Sequence, residues 1–186
     1  MKKHIWRNET MTVEKWNVDP AHSSIEFQVK HMMVSKVKGA FSDFTADIEM
    51  DPEDLTSAKL NFSVAAASVD TRQAQRDGHL KSEDFFNVEK YPNVTFSATK
   101  ITADGDDEYE VTGDLTIRDV TKPLTLEVSY EGTGKDPNTG NMVAGFEAKG
   151  KFNRKDFGLN YNAALETGGV LIGDEVKLNI QIEASK

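Results

Sequence analysis

The chain contains no cysteine. Disulfides, thiolate nucleophiles and zinc–thiolate centres are therefore excluded, and the absence fits a reducing compartment. Long apolar runs are also missing: no stretch approaches the roughly 18 consecutive apolar residues of a membrane-spanning helix. Met1-Lys2-Lys3 resembles the start of a secretory leader, but His4, Ile5, Trp6, Arg7, Asn8 and Glu9 follow where an apolar segment would stand. These absences predict a soluble cytoplasmic protein without stable membrane insertion. Positive charge is scarce, with 22 Lys and Arg against 31 Asp and Glu and a net charge of −9. That balance argues against nucleic acid and against general adhesion to an anionic membrane. Catalytic signatures are lacking as well: there is no G-x-S-x-G elbow and no G-x-G-x-x-G fingerprint. Gly145 to Lys151 imitates a phosphate loop, but Phe152 stands where Ser or Thr would be required. The four histidines (His4, His22, His31 and His79) show no i, i+4 pair, so neither a metal site nor a cofactor is expected.

What the chain does have is alternation. Ile25, Phe27 and Val29 alternate with Glu26, Gln28 and Lys30, the period of a strand with one buried face. Val37, Gly39 and Phe41 continue the pattern, and Phe44, Ala46, Ile48 and Met50 resume it one residue out of phase, which predicts a bend within one long strand. Further strands are expected around Leu60–Ala66, Val94–Ala98, Tyr109–Ile117, Leu124–Tyr130, Val143–Phe152 and Val176–Ile182. Asp-rich 103–108 reads as a hairpin turn, and Gly132 to Gly140 as an exposed loop. The result is an all-β domain of about eight antiparallel strands over residues 14–186, preceded by a loose N-terminal extension over 1–13. At about eight strands a barrel interior is just wide enough to fill with side chains or to hold one small ligand. Alternation alone fits a sandwich equally well.

One stretch breaks the period. From Asp70 to Ala98 the chain reads DTRQAQRDGHLKSEDFFNVEKYPNVTFSA. Asp70 followed by Gln73 predicts a helix start, Gly78 a stop, and Ser82-Glu83-Asp84 a second short turn. Pro92 returns the chain to strand. Connections this long within a domain are usually functional or disordered, and the density of aromatics here argues for order. The segment reads as a lid, with an apolar plug of Leu80, Phe85 and Phe86 beside a polar rim that includes Arg76, Asp77, His79 and Lys81.

RDGHLKSEDFFNVEKYP followed by VTFSA resembles the YceI-like family, also called polyisoprenoid-binding proteins. WNVDPAHSSIEFQVKHMMVSKVKGAF from Trp16, GDLTIRDVTKPLTLEV from Gly113, and KFNRKDFGLNYN with GDEVKLNIQIEA from Lys151 agree with it in order. The resemblance implies a lipocalin-like barrel, a homodimer, and a long-chain lipid ligand of the polyisoprenoid or isoprenoid-quinone kind. Small inward residues (Ala46, Ala66, Ala98, Ala148 and Gly113) are expected to leave an apolar tube. Its lumen would be lined by Phe27, Val29, Phe41, Ile48, Phe62, Val64, Phe96, Leu115, Ile117, Leu126, Phe146 and Ile180, with Arg76, His79, Leu80, Phe85, Phe86 and Arg154 at the lid and mouth. The reading is of a binding protein rather than an enzyme. Two alternatives stay open at this point: an enzyme acting on a lipid or small acid through His79, Asp77 and Arg76, and a stress-related interaction module whose core is packed solid.

Overall fold

A computed structural model describes residues 12–186; residues 1–11, which make up most of the expected extension, lie outside the described residues. The strands are β1 (Glu14–Val18), β2 (Ser24–His31), β3 (Ser35–Phe41), β4 (Phe44–Asp51), β5 (Asp54–Ala65), β6 (Val69–Asp70), β7 (Asn93–Ala103), β8 (Glu108–Ile117), β9 (Val120–Lys135), β10 (Met142–Asn153) and β11 (Ile172–Ser185). One helix, α1 (Ala74–Lys81), interrupts them.

Eleven segments make an eight-stranded wall because two strands are broken in the middle and the two-residue β6 lies outside the circuit. β1 and β2 both pair with β11, and they pair with β4 and β3 respectively. They are two halves of one strand, kinked at a single 3-10 turn over Pro20–His22. β3 and β4 are likewise halves of one strand, broken between Phe41 and Phe44 where the alternation slips. The circuit then runs through β5, β7, β8, β9, β10 and β11 and returns to β1 and β2, with every pairing antiparallel. Closure leaves no long unpaired edge. The protein is thus an all-β, antiparallel eight-stranded barrel.

The wall has one discontinuity. Phe44 pairs with Val64, but above that level β3 finds no continuation of β5 beside it. β5 instead gives way to the excursion over residues 66–92, whose two-residue β6 pairs with Ala40 and Phe41. The lid therefore stands where a length of wall is missing. Its far side is tied to the β8–β9 turn, where Arg118 Nη1 donates to the carbonyl of Phe85 at 3.3 Å and the guanidinium lies 5.8 Å from the Tyr91 ring centre.

The other end is closed by side chains. Trp16 is fully buried in a cluster with Ile48, Met50, Leu55, Ala144, Ile182 and Ala184. On the β3/β4 strand these positions lie at the end remote from the lid. A second cluster, including Leu115, Leu126, Phe157 and Leu159, packs along β8 and β9 and beneath the 3-10 turn Arg154–Phe157.

Local details differ from the sequence reading. Gln73, not Asp70, caps α1: its side chain accepts from the Arg76 amide, while the Asp70 carboxylate accepts from the Arg72 amide at 2.7 Å in a tight turn of its own. Gly78 lies inside the helix, which ends at Ser82, whose hydroxyl donates to the carbonyl of His79 at 2.6 Å. Gly132 and Gly134 belong to β9 rather than to a loop.

Candidate functional site: a lidded lumen

The barrel encloses a cavity of about 420 Å³ that runs from the Trp16 end to the lid. The volume falls within the roughly 300–1,000 Å³ typical of small-molecule sites. All twelve wall positions proposed from the alternation line it, as do the six lid and mouth positions. Period-2 geometry explains the wall: along each strand every second side chain points inward. The interior is not packed solid.

The reason it stays open is not the one expected. Ala46, Ala66, Ala98 and Gly113 do not line the cavity; of the five small residues proposed, only Ala148 does. Three large lining side chains instead pack closely onto glycines of neighbouring strands, Gly113 among them. A Cβ placed on Gly39 would stand 2.4 Å from Phe27 Cζ, one on Gly113 2.5 Å from Phe96 Cζ, and one on Gly150 2.6 Å from a Leu126 methyl. Phe27 lies directly opposite Gly39 in the β2–β3 register. Each ring or branched side chain thus occupies the place of a missing side chain rather than the middle of the tube.

At the lid, aromatic contacts form two groups, joined through the chain at Phe85–Phe86. Phe27 meets Phe41 at 5.6 Å between ring centres, Phe41 meets Phe86 edge-on at 5.7 Å, and Phe85 meets Tyr161 at 5.4 Å. His79 stands edge-on to both Phe85 (5.0 Å) and Tyr161 (4.6 Å).

The pairing of His79 with Asp77 does not occur. His79 Nε2 hydrogen bonds to Asp84 Oδ2 at 2.8 Å. Asp77 Oδ1 instead accepts from the amide and hydroxyl of Thr71 at 2.9 and 2.6 Å. Arg76 grips the same residue from the other side: Nε donates to Thr71 Oγ1 at 2.7 Å and Nη2 to the Thr71 carbonyl at 2.8 Å. Thr71 is buried at 4% exposure and was not singled out from the sequence. A lone Thr between Asp70 and Arg72 carries no periodic signal.

Arg154, expected at the lid and mouth, lines the cavity there, and its guanidinium is engaged by the protein itself. It is 3% exposed. Nε donates to the Gly173 carbonyl at 2.8 Å, Nη1 to those of Leu159 and Tyr161 at 2.5 and 2.9 Å, and Nη2 to that of Ile172 at 3.4 Å. The guanidinium is the hub around which the 159–173 segment folds. Burial pulls its pKa below the ordinary arginine value, and Asp174, 3.7 Å away, opposes that shift. Asp174 Oδ1 is itself buried without a hydrogen-bond donor.

Outside the lumen, Asp19, His22 and Glu183 bring three side-chain ligand atoms within 4.8 Å of one another. Their geometry has a local explanation. Asp19 accepts from the Ala21 amide and pairs with His22 Nδ1, each at 2.8 Å, which fastens the kink between β1 and β2. The Asp19 contact raises the His22 pKa, and the same bond lowers that of Asp19. No helix among the described residues is long and apolar enough to cross a membrane.

A family model described as a YceI-like domain matches residues 16–184. A UPF0312 protein of Staphylococcus epidermidis is 43% identical over 171 residues, covering 92% of this chain and 97% of the relative. Among solved structures, the YCEI protein of Campylobacter jejuni is 32% identical with a TM-score of 0.72 and covers the whole of this chain and 99% of its own. A polyisoprenoid binding domain from Saccharophagus degradans superposes with a TM-score of 0.68 at 13% identity, over 91% of this chain and 97% of that one.

Proposed function

The chain belongs to the YceI-like family, and from that premise we propose that it binds one long-chain lipid, a polyisoprenoid or isoprenoid quinone, in the barrel lumen, for carriage or storage. The observation that carries the reading is the lined, lidded cavity of about 420 Å³ with its floor closed at Trp16. A tail there is held by burial of apolar area, at roughly 25 cal/mol per Å² removed from water. The twelve wall positions supply that surface, and Leu80, Phe85 and Phe86 cover it. The Saccharophagus degradans domain of the same fold, named for binding polyisoprenoid, supports the choice of ligand class. We read a binding protein rather than an enzyme: the acid–base pair proposed from the sequence is divided between two structural contacts. A cytoplasmic location is supported by the cysteine-free, acidic composition, and a homodimer by the family resemblance.

Mass spectrometry of an organic extract of the purified native protein tests the proposal. A long-chain compound at close to one per lumen is expected; a protein that yields none and takes up none from vesicles containing isoprenoid lipids overturns it. Phe62 and Phe96 face each other across β5 and β7, so Phe62→Asp or Phe96→Asp sets a carboxylate against the tail. Either weakens retention more than Arg76→Ala does, and equal retention in all three counts against a tail-dominated site.

A further inference from the structure

Among the described residues seven large apolar side chains are exposed, and five of them, Met32, Met33, Val34, Tyr161 and Val170, lie on one rim of the barrel. That rim is at the lid end. Met32, Met33 and Val34 form the turn between β2 and β3, and His31 just before it pairs with Ile172. The Met32 amide donates to the Leu171 carbonyl at 2.8 Å, which holds the turn against the 161–171 segment. Tyr161 of that segment abuts His79 of the lid.

The turn is built against local preference. The Val34 amide donates to the His31 carbonyl at 3.2 Å, and the two residues enclosed, Met32 and Met33, have φ of 52° and 63°. Hairpin turns with two positive φ angles favour Asn-Gly or Asp-Gly, because longer side chains adopt this conformation at a cost. Two thioether chains stand there instead, 44% and 54% exposed, and Val34 beside them is 85% exposed. They gain little from the fold itself.

The charge beside the turn is also uncompensated. From Phe27 to Ser42 the chain has no Asp or Glu but carries Lys30, Lys36 and Lys38. Lys30 and Lys36 are direct partners across β2 and β3, and like charges placed opposite one another destabilise a sheet. On the adjoining wall Lys149, Lys151, Lys155 and Lys177 each reach a carboxylate within 4.0 Å, whereas Lys30, Lys36 and Lys38 reach none among the described residues. The 161–171 segment adds one carboxylate, Glu166. Much of the negative charge lies at the far end, where the turns 51–54, 104–108 and 131–136 adjoin the Trp16 cluster.

An exposed apolar tip flanked by unpaired lysines is complementary to an anionic bilayer, whose phosphates lie above its hydrocarbon. A stable protein partner takes about 800 Å² from each side, more than five partly exposed side chains supply. We propose that the β2–β3 turn docks the lid end reversibly onto an anionic phospholipid surface, with Met32, Met33 and Val34 set among the headgroups and Lys30, Lys36 and Lys38 on their phosphates. The tube is closed at Trp16, so docking here sets its mouth against the source of a tail; that consequence rests on the lumen holding a lipid.

Cosedimentation of the full chain with two kinds of vesicle, phosphatidylcholine alone and an equal mixture with phosphatidylglycerol, tests the docking. At low salt the mixed vesicles bind the protein about tenfold or more tighter, and the difference shrinks at about 1 M salt, where the screening length is about 3 Å. A lysine near an anionic surface is worth about fivefold in affinity, so Lys30→Gln with Lys36→Gln weakens binding to mixed vesicles about tenfold or more. Met32→Asn with Met33→Gly gives the turn its preferred pair: this protein melts no lower than the parent yet loses most of its binding. Equal binding to both vesicles, or none to either, overturns the inference, as does parent-level binding by the turn variant. Absent binding together with a parent dimer that the turn variant breaks into monomers assigns the tip to a second copy of the chain and overturns it likewise. A protein that carries a lipid but ignores the vesicles overturns the docking and leaves the lumen reading standing. One that binds the mixed vesicles but carries no lipid keeps the docking and removes the lumen reading.

Discussion

Two glycines in the wall should fail in opposite ways when each is changed to alanine, and the contrast tests how the lumen is kept open. At Gly113 the new methyl would stand 2.5 Å from the Ser97 carbonyl oxygen as well as from Phe96. Ordinary contact lies about 0.9 Å further out, and a backbone oxygen within a hydrogen-bonded ladder can yield only by opening β7 from β8. Overpacking of this kind costs about 1–3 kcal/mol. With about 2–4 °C of melting temperature per kcal/mol for a chain of this size, Gly113→Ala should melt about 4–8 °C lower if the cost is about 2 kcal/mol. At Gly39 every near atom belongs to a side chain, Phe27 at 2.4 Å and the Thr71 methyl at 2.9 Å. The Phe27 ring can swing away, but the direction open to it is the lumen. Removing a glycine also stabilises by about 0.4–1 kcal/mol through the unfolded state, which offsets part of the clash with the Thr71 methyl that Arg76 and Asp77 hold in place, so Gly39→Ala should melt less far below the parent than Gly113→Ala while holding less lipid. Thermal denaturation followed by circular dichroism, with lipid content measured on the same samples, reads both effects. If Gly39→Ala loses as much stability as Gly113→Ala, or keeps its full lipid content, the account of the open interior is wrong.

Removal of the Arg154 guanidinium, as in Arg154→Met, leaves the carbonyls of Leu159, Tyr161 and Gly173 without this donor and should cost about 3 kcal/mol or more in urea titration, at about 1–3 kcal/mol for each buried acceptor left unmet; a loss below about 1 kcal/mol refutes its role as a hub. In an NMR titration His22 should titrate above its ordinary value of 6.5, and Asp19→Asn should return it toward that value. Because the folded-state pKa of His22 is raised, its contribution to stability is complete below 6.5 and is lost as pH rises through the raised value. Asp19, lowered from 3.8, contributes above that value and loses its contribution as pH falls through the lowered one. The kink between β1 and β2 is therefore tightest between these limits, and a flat His22 titration at 6.5 would refute the contact.

Much of the wall was legible because alternation assigns a side chain to a face one residue at a time, and a slip of one reverses it. The phase change after Phe41 located the break between β3 and β4 for this reason. β1 was missed: in EKWNV only Trp16 is buried, too little for a period to show. The partner of His79 was misjudged because sequence neighbours are poor guides on a helix, where residues two apart point to different sides; Asp84 reaches it only after the chain turns at Ser82. The clasp on Thr71 carries no sequence signal, since it depends on Asp77 and Arg76 meeting one residue from two directions. The small residues Ala46, Ala66 and Ala98 stand outside the lining, whereas Gly113 gives the Phe96 ring a place to pack, a contact between strands that alternation along one strand does not show.

Trp16 and its neighbours make the tube blind. A blind tube has a direction: whatever occupies it goes in foot first and must back out along the same path. Two occupants cannot pass one another, so exchange requires the first to leave before the second arrives. On the proposed reading, any receiver of a bound lipid meets its outermost atoms first, and release proceeds at the threshold rather than along the shaft.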